Sequence, residues 1–507
     1  MRDHVVLFIN GEKHEVRGAA AFSMLADFLR YERRLTGTKV VCAEGDCGAC
    51  TVLRGHPMLG RNPESGTLRF DPINACIATV AQLDGAHILT IEAVSDGDTL
   101  HEVQRAVVDH HGSQCGFCTP GIVMALLGHT EHHLGDAPDR KALQNHLTGN
   151  LCRCTGYDPI LDACANLRPS ETTSVVARYD RPEVVAAQQA VARVPFHVID
   201  GDRHYLAPTT VAGVLDARAA HPRARLVAGN TDLGVLMNKA LLSTFGHAPA
   251  QPFTEFISLQ HVAELGGVTV LPGVALHVGA RATFAEVELV CDTHLPELAS
   301  LLRVFASPQI KNIATLAGNI ANGSPIGDSL PALLALDASL HIAGPGAADR
   351  VVPLAAFFKG YKQFDLRPGE LIRTIVIPLP RPGALFRADK VCQRKDLDIA
   401  FVSGAWRLDL GADGRISDAR VAYGGVGPTA MRLPKAEAAL VGLKPTDPAL
   451  ASVAALIEAE VTPRSDVRGT EAGRRKLSGN LFRRFASGLR ASGLKAPAAS
   501  AGAEVTP

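Results

Sequence analysis

The chain has 507 residues, length for several domains of roughly 100–200 residues each. Hydrophobic residues make up 47% and charged residues 20%, a globular balance that excludes an intrinsically disordered chain. Lys+Arg and Asp+Glu stand at 51 each, so no global field favours nucleic acid or an anionic membrane, and no apolar run approaches the roughly 18 residues of a membrane span.

Residues 4–10 alternate toward a strand, Asn10-Gly11 is a strong hairpin turn, and residues 13–17 return as a second strand. The apolar run at residues 5–9 is too short for a signal peptide, and Arg33-Arg34 sits too deep for a twin-arginine signal. The expected compartment is the cytosol, where thiols stay reduced and clustered cysteines mean metal or redox chemistry. Ser23 is placed to cap a helix, since Met24, Leu25, Phe28 and Leu29 are apolar at helical spacing.

Eight of the 11 cysteines fall between Cys42 and Cys154, leaving only Cys164, Cys291 and Cys392 beyond. Cys42, Cys47 and Cys50, followed at a distance by Cys76, have the C-x4-C-x2-C…C spacing of a plant-type 2Fe-2S site. Three thiolates must come from one tight loop, and Gly45 and Gly48 let its backbone N–H groups turn toward anionic sulfur. Residues 51–53 read as a strand leaving that loop. The second group pairs Cys115 with Cys118 and Cys152 with Cys154, next to helical patterns at residues 122–127 and 143–147. Two such pairs at loop–helix junctions can hold a second cluster, with helix N-termini directed at its negative charge. Two sets of four thiolates also suit tetrahedral zinc, so spacing leaves structural zinc open. The histidine pairs His110-His111 and His132-His133 lack a carboxylate at ligand spacing and read as solvated.

Cys42-Ala-Glu-Gly-Asp-Cys-Gly-Ala-Cys-Thr-Val, Gln114-Cys-Gly-Phe-Cys-Thr-Pro-Gly and Gly149-Asn-Leu-Cys-Arg-Cys-Thr-Gly-Tyr resemble the xanthine dehydrogenase group of molybdenum hydroxylases. The resemblance runs to about residue 485 and implies a multidomain α+β chain. Its parts are a β-grasp 2Fe-2S ferredoxin domain (residues 1–86), an all-α four-helix 2Fe-2S domain (87–167) and a vanillyl-alcohol-oxidase-like α+β FAD domain (194–380). A small C-terminal α/β flavoprotein domain (385–486) follows. Composition makes residues 168–193 a linker and residues 491–507, rich in Ala, Ser, Gly and Pro, a disordered tail. The sequence departs from the family pattern at Val40-Val41, where Glu-Gly is usual, and at Asp158, where Arg is usual.

In the flavin half, Leu226-Val227-Ala228-Gly229-Asn230-Thr231-Asp232-Leu233 reads as a strand entering a turn and then a helix, able to aim N–H groups at a pyrophosphate. It is not the Rossmann G-x-G-x-x-G pattern, and Gly425-Val-Gly-Pro-Thr-Ala430, which comes nearest, reads as structural. By resemblance, residues 226–233 and Thr315-Leu316-Ala317-Gly318-Asn319 surround the pyrophosphate and flavin. Phe305 would pack near the isoalloxazine, and Asp328, Ile372 and Lys390 would complete the pocket, although Phe305 as core and Lys390 as surface also remain open. Tyr361 and Asp398 would neighbour NAD+, with Leu397 where an acidic residue is common.

The resemblance further implies a molybdopterin domain larger than this whole chain, hence a separate large subunit in an αβ unit paired as a heterotetramer. Electrons would pass from molybdenum through the Cys115/Cys118/Cys152/Cys154 cluster, then the Cys42/Cys47/Cys50/Cys76 cluster, to FAD and NAD+. By the resemblance, oxidation of hypoxanthine and xanthine to urate would take place on the large subunit, and no side chain of this chain would act as general acid or base on the purine. The equivalent subunit of an aldehyde, nicotinate or carbon monoxide hydroxylase is the alternative.

Overall fold

A computed structural model describes residues 1–55, 68–136, 139–165, 167, 174–179, 181–242, 253–346 and 348–491. The N-terminal hairpin pairs Val5–Ile9 with Glu12–Val16 across Asn10-Gly11, as its turn chemistry dictates. Its sheet runs Glu12–Val16, Val5–Ile9, His87–Leu89, Thr51–Gly55, Phe70–Asn74. Only the pairing of Val5–Ile9 with His87–Leu89 is parallel, because the intervening chain leaves to build the cysteine loop before coming back.

Ser23 does not cap a helix. Its hydroxyl donates back to the Ala20 carbonyl at 2.7 Å, and Met24 occupies the cap of a short helix, Leu25–Asp27, that widens into a π-type turn over Phe28–Glu32. The apolar spacing is kept because Leu25, Phe28 and Leu29 all enter the core.

Four helices follow: Glu102–Asp109, Thr119–Glu131, Arg140–His146 and Asp158–Ala165. Thr119–Glu131 is apolar all round and is buried along most of its length, as the central element of a small bundle must be. His132 is not solvated as expected: its Nε2 bonds the Phe70 carbonyl at 2.9 Å and its ring sits 3.6 Å from Asp71. Burial pulls its pKa down to about 4.

The segment read as a linker is structured at residues 174–179 and 181–192. They carry helices Val175–Tyr179 and Pro182–Ala192, and Gln188 is fully buried, donating to the Gly85 carbonyl at 2.9 Å. Pro182 opens the second helix because the first helical N–H needs no partner. Residues 168–173 and 180 of that segment, and residues 492–507 of the expected tail, lie outside the described residues.

The flavin half holds a four-stranded sheet, in the order Phe196–Asp200, Arg203–Ala207, Glu255–Ser258, Arg225–Val227. A five-stranded sheet runs Val268–Leu271, Ala275–Gly279, Leu371–Pro378, Ser339–Ala343, Arg350–Pro353. The C-terminal unit is an antiparallel sheet covered by Pro434–Leu440, Leu450–Glu460 and Glu471–Ala491, with Trp406 stacked 5.1 Å from Phe485 in its core. Asp337 joins it to the flavin half by accepting Arg407, Arg420 and Arg432 together. No helix among the described residues is long and apolar enough to cross a membrane.

Candidate electron-transfer site

The first cysteine loop brings its sulfurs into contact in sequence: Cys42 meets Cys47 and Cys76, and Cys76 meets Cys50. Hydrogen bonds from Cys47, then Cys76, hold the Cys42 thiol far below its ordinary value and push its two partners up. Cys50 and Cys76 are buried, and Cys42 and Cys47 are half-buried. Asn74 secures the loop, donating to the Gly45 carbonyl at 2.7 Å and receiving the Cys50 thiol at 3.8 Å.

The second quartet forms two touching pairs, Cys115 with Cys154 and Cys118 with Cys152. Cys118 is the N-cap of Thr119–Glu131, so that helix starts at the sulfurs. Burial raises the Cys118 thiol to about 12. Burial would raise Cys152 as well, but the Thr155 hydroxyl, 3.2 Å from its sulfur, helps bring it below its ordinary value. The Tyr157 hydroxyl accepts the Cys152 N–H at 2.9 Å and fixes the turn. Cys115 and Cys154 are exposed.

Although the sulfurs touch, no three His, Cys, Asp or Glu side chains among the described residues converge to hold a single ion.

Three glycines interlock the two loops. A Cβ on Gly121 would lie 2.2 Å from the Gly48 carbonyl oxygen, one on Gly48 2.2 Å from that of Gly149, and one on Gly149 2.1 Å from Gln309 Oε1. The Leu151 N–H donates to the Cys47 carbonyl at 3.0 Å, and Asn150 Nδ2 to that of Gly48 at 3.2 Å. Gln309 donates to Asn150 Oδ1 at 2.8 Å and Thr51 Oγ1 at 3.3 Å, while its own Oε1 is buried without a partner. An orphaned acceptor of this kind costs about 1–3 kcal/mol. Sequence reasoning missed Asn150 as a contact and Gln309 altogether; the only local sign was Gly149 beside Asn150, just before Cys152.

The first loop also rests on the flavin half. Asn238, on the helix Leu233–Leu242, donates to the carbonyls of Ala43 (2.8 Å) and Cys76 (2.6 Å). Asn230, with a left-handed φ of 60°, donates to the Ile77 carbonyl at 3.1 Å.

That Asn230 turn meets the second candidate flavin segment. A Cβ on Gly229 would lie 2.3 Å from the Ile313 carbonyl oxygen, so the two backbones are in contact. Thr315 caps the helix Leu316–Asn322 by accepting the Gly318 N–H, Asn319 accepts the Ser329 hydroxyl at 2.8 Å, and Asp232 accepts from Asn322 at 3.3 Å. The two segments expected at the flavin therefore meet in one place.

Lys390 is not a surface lysine. It pairs with Asp328 at 2.7 Å, with side-chain exposures of 4% and 6%, and also donates to the Asp398 carbonyl at 2.9 Å. Burial raises Asp328 despite this partner, and its second oxygen is buried without a partner. Phe305 is partly buried, 4.7 Å from Phe284. Val227, Leu316, Ala317 and Ile372 place their side chains in the cores, so they support the cradle from behind. Tyr361 is 63% exposed in a hairpin turn, and the Asp398 carboxylate accepts the N–H groups of Gln393 and Arg394.

Two thiol quartets beside this cradle define an iron–sulfur flavoprotein. Four family models match the chain in order: "2Fe-2S iron-sulfur cluster binding domain" over residues 7–81, "2Fe-2S binding domain" over 90–165, "FAD binding domain in molybdopterin dehydrogenase" over 197–380 and "CO dehydrogenase flavoprotein C-terminal domain" over 387–489. The chain belongs to the molybdenum hydroxylase family and comprises its 2Fe-2S and FAD region. It is similar to the xanthine dehydrogenase of Emericella nidulans, 31% identical over 547 residues, with 95% of this chain and 38% of the relative covered. With the xanthine dehydrogenase/oxidase of Rattus norvegicus it shares 32% over 453 residues, 80% of this chain and 33% of the relative. The chain thus spans little more than a third of these curated relatives. A chain of the reconstituted CO dehydrogenase from Oligotropha carboxidovorans matches with a TM-score of 0.51 and 26% identity, over 58% of this chain and 99% of that one.

Proposed function

We propose that the chain is the electron-transfer part of a xanthine dehydrogenase, working with a molybdopterin-bearing large subunit in a paired heterotetramer in the cytosol. When bound, two clusters and a flavin supply a one-electron relay and the conversion to the two-electron chemistry of NAD+. The residues of this chain hold, orient and shield. Cys115, Cys118, Cys152 and Cys154 would grip one cluster, and Cys42, Cys47, Cys50 and Cys76 the other. Residues 226–233 and 315–319 would line the pyrophosphate and flavin, with Phe305 beside the ring, Ile372 behind it and the Asp328–Lys390 pair closing the pocket. Tyr361 and Asp398 are the candidates beside NAD+.

The observation that carries this reading is contiguity: Leu151 bonds Cys47 and Asn238 bonds Cys76, so each site abuts the next. The fused order of parts supports a xanthine dehydrogenase over a carbon monoxide dehydrogenase, since a xanthine dehydrogenase relative aligns over 95% of this chain whereas the CO dehydrogenase chain matches 58%. The test is anaerobic mixing of the purified complex with xanthine. Two distinct 2Fe-2S EPR signals, a bleached flavin and NADH formation are expected. In Cys152→Ser, one signal and xanthine-driven flavin reduction should vanish while NADH still reduces the flavin; purine-driven reduction at the parental rate would remove that quartet from the route.

A further inference from the structure

We propose that Gln309 is a positioning residue for electron passage between the two cysteine quartets, an inference that rests on both quartets holding clusters. Gln309 belongs to the flavin half, in the short helix Pro308–Lys311, and has no exposed surface. Its amide is nevertheless committed to neighbours of both quartets. Thr51, one acceptor, directly follows Cys50, and Asn150, the other, stands two residues before Cys152. Asn150 passes the restraint on to Gly48, next to Cys47. The covalent route from Cys47 to Cys152 is closed by one hydrogen bond, from Leu151 N–H to the Cys47 carbonyl, and Gln309 braces the residues that flank that bond on both sides.

The glycine interlock explains why this side chain, and not a ligand loop, sets the spacing. Gly149 has no side chain to brace its own loop, and Gln309 Oε1 fills the place where a Cβ would stand. The two donated bonds tie residue 150 and residue 51 to one side chain from the flavin half, adding to the direct contacts between the loops. The amide is also uncharged, so it braces two anionic centres without favouring residence of an electron on either.

The test uses the full chain loaded with both clusters and flavin, as the parental protein, Gln309→Leu and the isosteric Gln309→Glu, which keeps the shape and loses the donor. Low-temperature EPR of the fully reduced protein reads the spin–spin interaction between clusters, and freeze-quench EPR after light-driven flavin reduction times the arrival of the second signal. Both variants are expected to retain iron, flavin and both signals, with a changed splitting and a second signal delayed about tenfold, the scale on which small displacements act at positioned sites. Parental splitting and timing in variants that keep both clusters would overturn the role of Gln309. A parental protein lacking one of the two signals would instead overturn the assignment of the quartets, independently of Gln309.

Discussion

The two cysteine quartets use the same ligand and opposite surroundings. The first is walled in: Cys50 and Cys76 are buried, Asn74 and Asn238 bond the loop backbone, and the flavin half covers one side. The second opens outward, with Cys115 and Cys154 exposed beside the half-exposed rings of Phe117 and Tyr157. A site enclosed by its own chain has its environment fixed by that chain, whereas an open one takes much of its environment from whatever lies outside.

The largest expected effect breaks the enclosed site. Cys76→Ala should abolish the first cluster and cost several kcal/mol, because ligand binding and folding are coupled where the sulfur is part of the core. Cys154→Ser should erase the second EPR signal while the first signal and bound flavin stay at parental levels; a concurrent loss of either would show that the two regions stand or fall together.

Acid should sharpen the same contrast. Burial lowers His129 and His132, beside the second quartet's helices, to about 4, and lowers His87 in the first domain equally. Each stays neutral in the folded protein while the unfolded chain takes up a proton near pH 6.5. Their stabilisation is therefore complete above pH 6.5 and is lost as pH falls toward 4, about 3 kcal/mol per histidine. Having more such groups, among them His146, the four-helix domain should unfold first. Cluster signals followed from pH 7 to 4 check the order.

Gly121→Ala pushes a methyl against the Gly48 backbone and should cost about 1–3 kcal/mol in thermal unfolding. The smallest effect belongs to Asp158→Arg, which installs the residue usual in the family. Asp158 is 82% exposed and pairs with Arg140 at 3.0 Å at a helix start, so the change should stay within about 1 kcal/mol.

Local chemistry was legible in the sequence, and contact across long separations was not. Asn10-Gly11 forms its hairpin because the turn is decided by those two residues, and the cysteine spacings foretold two clustered quartets. Ser23 misled because tertiary packing of Leu25 and Leu29, rather than a cap, orders that segment. The helix Pro182–Ala192 was hidden by its Ala, Gln and Val pattern, although Pro182 and the later burial of Val184, Val185 and Gln188 are consistent with it. Gln309 and Asn238 look like ordinary polar residues until their partners, more than a hundred positions away, are in view.

The exposed edge formed by Cys115 and Cys154 has a practical consequence. Chelators, peroxide and dioxygen reach thiolates there without any opening of the fold. A preparation of this chain alone should therefore age from that end, bleaching one centre while the other keeps its colour. The ratio of the two signals then serves as a clock for how long the surface has stood bare.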